Sequence, residues 1–195
     1  MRVTVLVSGG GSNLQALIDA QSSGELGTAE ITAVIASKPG VYALERAAKY
    51  GIPAHTVCRK DFAHSAEWEA ALLAAINETQ PELIVLAGYL SILGDGVVRR
   101  YAGRIINIHP ALIPSFCGKG MYGLRPHIAA LERGVKVTGA TVHYVNEIPD
   151  GGEIIAQKAV AVLPEDTPET LQQRVMEEAE WLILPQAVRQ FAINN

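Results

Sequence analysis

The sequence predicts an α/β fold: one domain over residues 1–195, with a mainly parallel central sheet flanked by helices. Three observations carry this. Short apolar runs at residues 3–7, 31–36, 83–87 and 104–108 have the length and content of strands buried on both faces, as a parallel sheet requires. The segments between them carry apolar residues at helical spacing, so strands alternate with helices. With 49% of its 195 residues hydrophobic and 18% charged, the chain has apolar surface for one continuous core and no composition typical of disorder.

The run at residues 3–7 leads directly into Ser8-Gly9-Gly10-Gly11-Ser12-Asn13, after which Leu14, Leu17 and Ile18 recur at helical intervals. Strand, glycine turn and helix in that order are Rossmann-like. Between the second and third runs, Trp68, Leu72, Leu73 and Ile76 form one stripe of an amphipathic helix over Ser65–Thr79. Residues 138–145 and 153–162 flank the turn Ile148-Pro149-Asp150-Gly151-Gly152 and are expected to pair as a hairpin-like extension of the sheet. A last helix is expected over residues 168–191, bent or broken near Pro185, which has no N–H to continue the ladder. No internal repeat or interdomain linker interrupts the pattern.

A formal net charge of −4 speaks against nucleic acid as a partner, since tracking phosphates calls for a basic stripe. Two cysteines, Cys58 and Cys117, make no disulfide framework. The N-terminus runs from one arginine into the glycine turn without a signal-peptide pattern, and no apolar run approaches the roughly 20 residues that span a bilayer. The expectation is a cytoplasmic protein acting on small molecules, without a membrane partner and compatible with a homodimer.

Free backbone N–H groups at a strand–glycine–helix junction attract an anion. The loop at residues 8–13 therefore suits a phosphate, with a plain turn capped by Ser12 or Asn13 as the structural alternative. A dinucleotide fits worse. Counting from Gly9 and Gly11, the third glycine of that fingerprint falls at Leu14, and Ser37 and Lys38 stand where an acidic ribose ligand is needed. No lysine follows the loop as a P-loop requires. A monophosphate group fits best.

The run Asn107-Ile108-His109-Pro110-Ala111-Leu112-Ile113-Pro114 begins at the end of a predicted strand, where open α/β sheets bind ligands. Asn107 and His109 are two apart and share a face of an extended chain. An amide donor and an imidazole together suit acyl transfer, whose tetrahedral intermediate places negative charge on the former carbonyl oxygen. A histidine bonded to its own loop remains the alternative.

Taken together, residues 8–13, Leu86-Ala87-Gly88-Tyr89-Leu90, residues 107–114, Gly139-Ala140-Thr141-Val142-His143-Tyr144-Val145 and Asp150-Gly151-Gly152 resemble, in order, the motif set of the glycinamide ribonucleotide transformylase family of folate-dependent formyltransferases. The resemblance spans most of the chain. It implies a formyltransferase fold and transfer of a formyl group from 10-formyltetrahydrofolate, a co-substrate, to the amine of glycinamide ribonucleotide in purine biosynthesis. It further implies that Asn107 donates to the formyl oxygen, that a largely protonated His109 stabilises the oxyanion, and that Asp150 polarises His109 and moves the amine proton through water. A carboxylate beside His109 is expected to raise its pKa. By the same resemblance, Gly11, Ser12 and Asn13 bind the acceptor phosphate, Glu180 lies near the acceptor ribose or amine, and the pterin packs by Tyr89, Leu90 and Leu93. No metal is implied.

The chain departs from the family pattern in three places. Residues 115–123 make a longer loop before the Gly-x-x-x-His segment ending at His127, Ser91 stands where an arginine is common, and Asn146 replaces an acidic residue. Cys117 reads as an ordinary loop cysteine, His143 as a satisfied sheet histidine, and His127 as within reach of the longer loop. No Cys/His spacing suggests zinc. Two other functions stay open: formyltetrahydrofolate hydrolysis, with water in place of the amine, and non-catalytic binding of folates or nucleotides.

Overall fold

The computed structural model describes residues 1–194. Seven strands form one sheet: β1 (Arg2–Val7), β2 (Glu30–Ala36), β3 (Ala54–Thr56), β4 (Leu83–Leu86), β5 (Ile105–His109), β6 (Val137–Tyr144) and β7 (Ile154–Ala161). Their spatial order is β3-β2-β1-β4-β5-β6-β7. β3, β2, β1, β4 and β5 are mutually parallel, whereas β6 and β7 are antiparallel additions. The helices are α1 (Ser12–Ser22), α2 (Tyr42–Lys49), α3 (Ser65–Thr79), α4 (Asp95–Arg100), α5 (Arg125–Arg133), α6 (Pro168–Val175) and α7 (Trp181–Asn194).

The apolar runs form strands because both sheet faces are covered. Along β1, Val3, Val5 and Val7 enter a core layer shared with Leu14 and Leu17 of α1 and Leu184 and Val188 of α7. Leu6 points to the other layer, with Trp68, Leu72 and Ile76 of α3 and Val97 of α4. The hairpin-like pairing expected at residues 138–145 and 153–162 is present as β6 and β7, with Thr141 opposite Gln157. Gly139 is required there, because a Cβ would run into the carbonyl of Lys158.

One strand escapes the sequence reading and one reading is corrected. β3 shows no sequence signal: its three residues are all exposed at the sheet edge and carry no alternation. The break in the last helix falls at a π-helical turn over Met176–Glu180, not at Pro185, which lies inside α7. The wider turn carries the irregularity one turn upstream of the proline, and it holds Glu180 buried against α1.

Chain order reverses between β1 and β4, which opens a crevice beyond their carboxyl ends. Register aligns those ends, with Leu6 beside Leu86 and Leu86 beside Asn107. The glycine loop, the segment after β4 and the Asn107–His109 strand end therefore open onto one place.

Candidate functional site

The glycine loop opens without a side-chain cap. Gly11 is the residue before α1, in a left-handed conformation at φ 71°, and neither Ser12 nor Asn13 caps the helix. The alternative of a side-chain-capped turn is thereby set aside. Gly11 has a second reason to lack a side chain: a Cβ would stand 2.7 Å from Cβ of Ala43. Ser12 Oγ contacts Met176 Sδ at 3.6 Å, and Asn13 Nδ2 donates to Glu180 Oε2 at 2.6 Å. Burial pushes the Glu180 carboxyl up to about 7, against the lowering effect of Asn13.

At the end of β5, Asn107 and His109 share a face as their spacing predicted. Asn107 is paired across the antiparallel ladder with His143. Its Nδ2 lies 3.1 Å from His143 Nε2 and 3.4 Å from Asp150 Oδ1. His143 Nδ1 donates to Tyr144 O at 2.7 Å. His143 is thus the group that sequence reasoning missed: it is a sheet histidine as expected, yet its imidazole abuts both Asn107 and Asp150. Only the β5–β6 register could have revealed this, because alternation along β6 places it inward without naming its partner.

Asp150 reaches the cluster from the turn between β6 and β7, and its backbone is left-handed at φ 55°. That conformation is unfavourable for a non-glycine residue and is held by the bonds around it. Its Oδ2 accepts from the N–H of Gly118 at 2.8 Å and lies 3.5 Å from His109 Nδ1. Gly152 follows because a Cβ there would collide with the Tyr144 carbonyl. Burial pushes the Asp150 carboxyl up, but the His143 contact, the His109 ring and the Gly118 N–H together hold it below the ordinary carboxylate value.

His109 is almost fully buried, and its Nε2 donates to the carbonyl of Phe116 at 2.9 Å. The expectation of a raised pKa is corrected. Asp150 and the Phe116 carbonyl do raise it, but burial outweighs them and His143 adds to the lowering, so His109 falls below the usual histidine value. Phe116, at φ 50°, is another left-handed non-glycine residue. The longer loop at residues 115–123 is thus pinned to the cluster twice, through Phe116 on His109 and Gly118 on Asp150.

His127 does not reach outward to that loop. It is fully buried in α5 without a hydrogen-bond partner for either ring nitrogen among the described residues, and burial, with His109 nearby, lowers it to about 4. Cys117 Sγ donates to Pro114 O at 3.3 Å, and burial followed by the Asp150 charge raises its thiol pKa, the wrong direction for a nucleophile.

Two adjoining cavities meet at this cluster. One, of about 350 Å³, is lined by Gly11, Ser12, Asn13, Asn107, His109 and Glu180. The other, of about 380 Å³, is lined by Tyr89, Leu90, Leu93, His143 and residues 145–150. Asn107, Asp150, Tyr89 and Leu90 belong to both. Every site residue expected from the sequence therefore lines one cavity or the other. Burial pushes the Tyr89 hydroxyl up to about 12, against a smaller effect of Ser91, so the phenol at the shared wall stays protonated.

The family model described as formyl transferase matches residues 1–188. The chain belongs to the formyl transferase family. The chain is 40% identical to the phosphoribosylglycinamide formyltransferase of Haemophilus influenzae over 190 residues, 97% of its own length and 86% of that protein's. It is 44% identical to the trifunctional purine biosynthetic protein adenosine-3 of Drosophila melanogaster over 181 residues, which are 92% of this chain but only 13% of that protein. The crystal structure of glycinamide ribonucleotide transformylase 1 from Symbiobacterium toebii superposes with a TM-score of 0.93 at 38% identity, covering all of this chain and 88% of that one. Among the described residues, no helix is long and apolar enough to cross a membrane.

Proposed function

We propose that residues 1–195 form one formyltransferase domain that passes the formyl group of 10-formyltetrahydrofolate to the amine of glycinamide ribonucleotide, a step of de novo purine biosynthesis. The observation that carries this is the meeting of two cavities at Asn107 and Asp150, one lined by the glycine loop and one with an apolar wall. The names of the Haemophilus and Symbiobacterium proteins support the acceptor and the formyl group, and the folate donor is this reading's own.

In this reading the acceptor phosphate docks on the N–H groups of Gly11, Ser12 and Asn13, where no side-chain cap competes. Glu180 faces the ribose or amine end from the same cavity. The folate co-substrate lays its pterin against Tyr89, Leu90 and Leu93. Its formyl carbon then lies where the cavities overlap, beside the amine, and holding the two together supplies much of the rate.

The amine lone pair attacks the formyl carbon, and the carbonyl electrons move onto oxygen. Asn107 Nδ2 donates to that oxyanion, and His109 supplies a second donor through Nε2, which must exchange the Phe116 carbonyl for substrate oxygen. Asp150, kept ionised at neutral pH by His143, His109 and Gly118, accepts the ammonium proton through water and delivers it toward the folate nitrogen. Collapse breaks the bond from carbon to folate nitrogen and releases tetrahydrofolate and the formylated amine. All these groups come from one chain. The reading places the reaction in the cytoplasm, in keeping with the free thiols of Cys58 and Cys117.

The test is incubation of purified protein with 10-formyltetrahydrofolate and glycinamide ribonucleotide, following tetrahydrofolate and formylated acceptor together. Equal amounts of both are expected. Release of formate in place of formylated acceptor would assign the site to hydrolysis.

A further inference from the structure

The glycine loop presents its N–H groups only if its carbonyls are turned away and held. Each of the three glycine carbonyls is tied down, and two of the ties come from α2, a helix that lines neither substrate cavity. Gly9 O accepts from the backbone N–H of Ala43 at 3.2 Å, and Gly11 O accepts from Gln15 N within the first turn of α1 at 2.9 Å. Gly10 O accepts from the guanidinium Nε of Arg46 at 2.9 Å. The same guanidinium donates through Nη1 to Gln15 Oε1 at 2.8 Å and stacks on Tyr42 with its carbon 4.7 Å from the ring centroid. Arg46 is therefore held at three points, and its Cδ passes 3.5 Å from where a Cβ on Gly11 would stand.

We infer that Arg46 is a positioning residue of the acceptor site: from α2 it locks the Gly10 peptide so that the loop's N–H groups face the cavity, and it supplies the cation that the loop itself lacks. The inference rests on the phosphate reading of the loop given above. Charge and geometry act together. A peptide plane whose oxygen is fixed by a charged donor has its own N–H polarised and aimed, so less reorganisation is needed when a phosphate arrives. Of the three carbonyl ties, Arg46 alone is a side chain, which makes it the one that substitution can remove without rebuilding the backbone.

The experiment pairs Arg46→Met and Arg46→Lys with the wild-type protein in two assays. Calorimetric titration with inorganic phosphate needs no substrate assignment, and steady-state transfer separates acceptor KM, donor KM and kcat. In Arg46→Met the phosphate dissociation constant and the acceptor KM should rise together by about tenfold, the loss of one charge-assisted bond and its field. Donor KM and kcat at saturating acceptor should stay within about twofold. Lysine keeps a charge but not the fork that reaches Gly10 and Gln15 at once, so it should recover only part of the loss. Unchanged phosphate affinity and acceptor KM in Arg46→Met would overturn the role of Arg46 while leaving the phosphate loop standing. Absence of phosphate binding in the wild-type protein would overturn both. A fall in kcat with donor KM raised alongside would mean a general disturbance of the fold and would equally refute the assignment.

Discussion

Replacing Glu180 by glutamine should stabilise the ligand-free protein at alkaline pH and leave it unchanged at acid pH. The carboxyl is buried in the wall of the glycine-loop cavity with Asn13 Nδ2 as its hydrogen-bond donor, and its pKa rises from 4.5 to about 7. An acid whose pKa is higher folded than unfolded binds more protons in the native state between those two values. Stability therefore falls as pH rises through that window, and the loss is complete above about 7. At about 1.4 kcal/mol per unit, the gap corresponds to about 3 kcal/mol. Glutamine keeps the volume and removes the charge, and its amide can donate to Asn13 Oδ1, which is buried and unpartnered among the described residues. Urea unfolding of both proteins at half-unit steps from pH 4 to 8.5 should show coincident midpoints at the acid end and a growing gap above pH 5. In thermal unfolding the variant should gain roughly 6–12 °C at pH 8, for a chain of this size. Parallel profiles across the range would show that Glu180 is ionised at no cost when folded, and the burial argument would fail.

Three further outcomes test the site. Asn107→Ala and His109→Ala should each lower turnover by about 10²–10³ with unfolding midpoints little changed, as removal of one oxyanion donor does; near-normal turnover in both would remove this pair from the chemistry. Asp150→Asn should abolish most transfer while both substrates bind within about tenfold. Because the Asp150 charge raises His109, the histidine should titrate still lower in that variant, which NMR of the ring protons would record, and an unmoved titration would exclude their coupling. Gly11→Ala forces a Cβ to 2.7 Å from Ala43 in a left-handed backbone, so acceptor KM should rise and stability should fall by about 1–2 kcal/mol; unchanged acceptor affinity would place the phosphate elsewhere.

Much of this protein is local chemistry and could be read from the chain alone. Four of the five parallel strands, α1, α3 and the β6–β7 pair are legible because each carries its own periodicity, and a strand buried on both faces needs little more than a bounded apolar run. Asn107 and His109 are adjacent through strand geometry, and the glycine loop announces its own N–H groups. The motif order supplied Asp150 and Glu180 by resemblance, without a physical route from their positions. What tertiary structure alone decided is who faces whom. His143 meets Asn107 because β6 pairs antiparallel to β5 in one register, and a shift of one residue would turn it away. Arg46 meets Gly10 across 36 positions of chain. The sign of the His109 shift could not be read from its neighbours' identities, since Asp150 argues one way and burial the other. Burial is a property of the whole packed layer, and it prevailed.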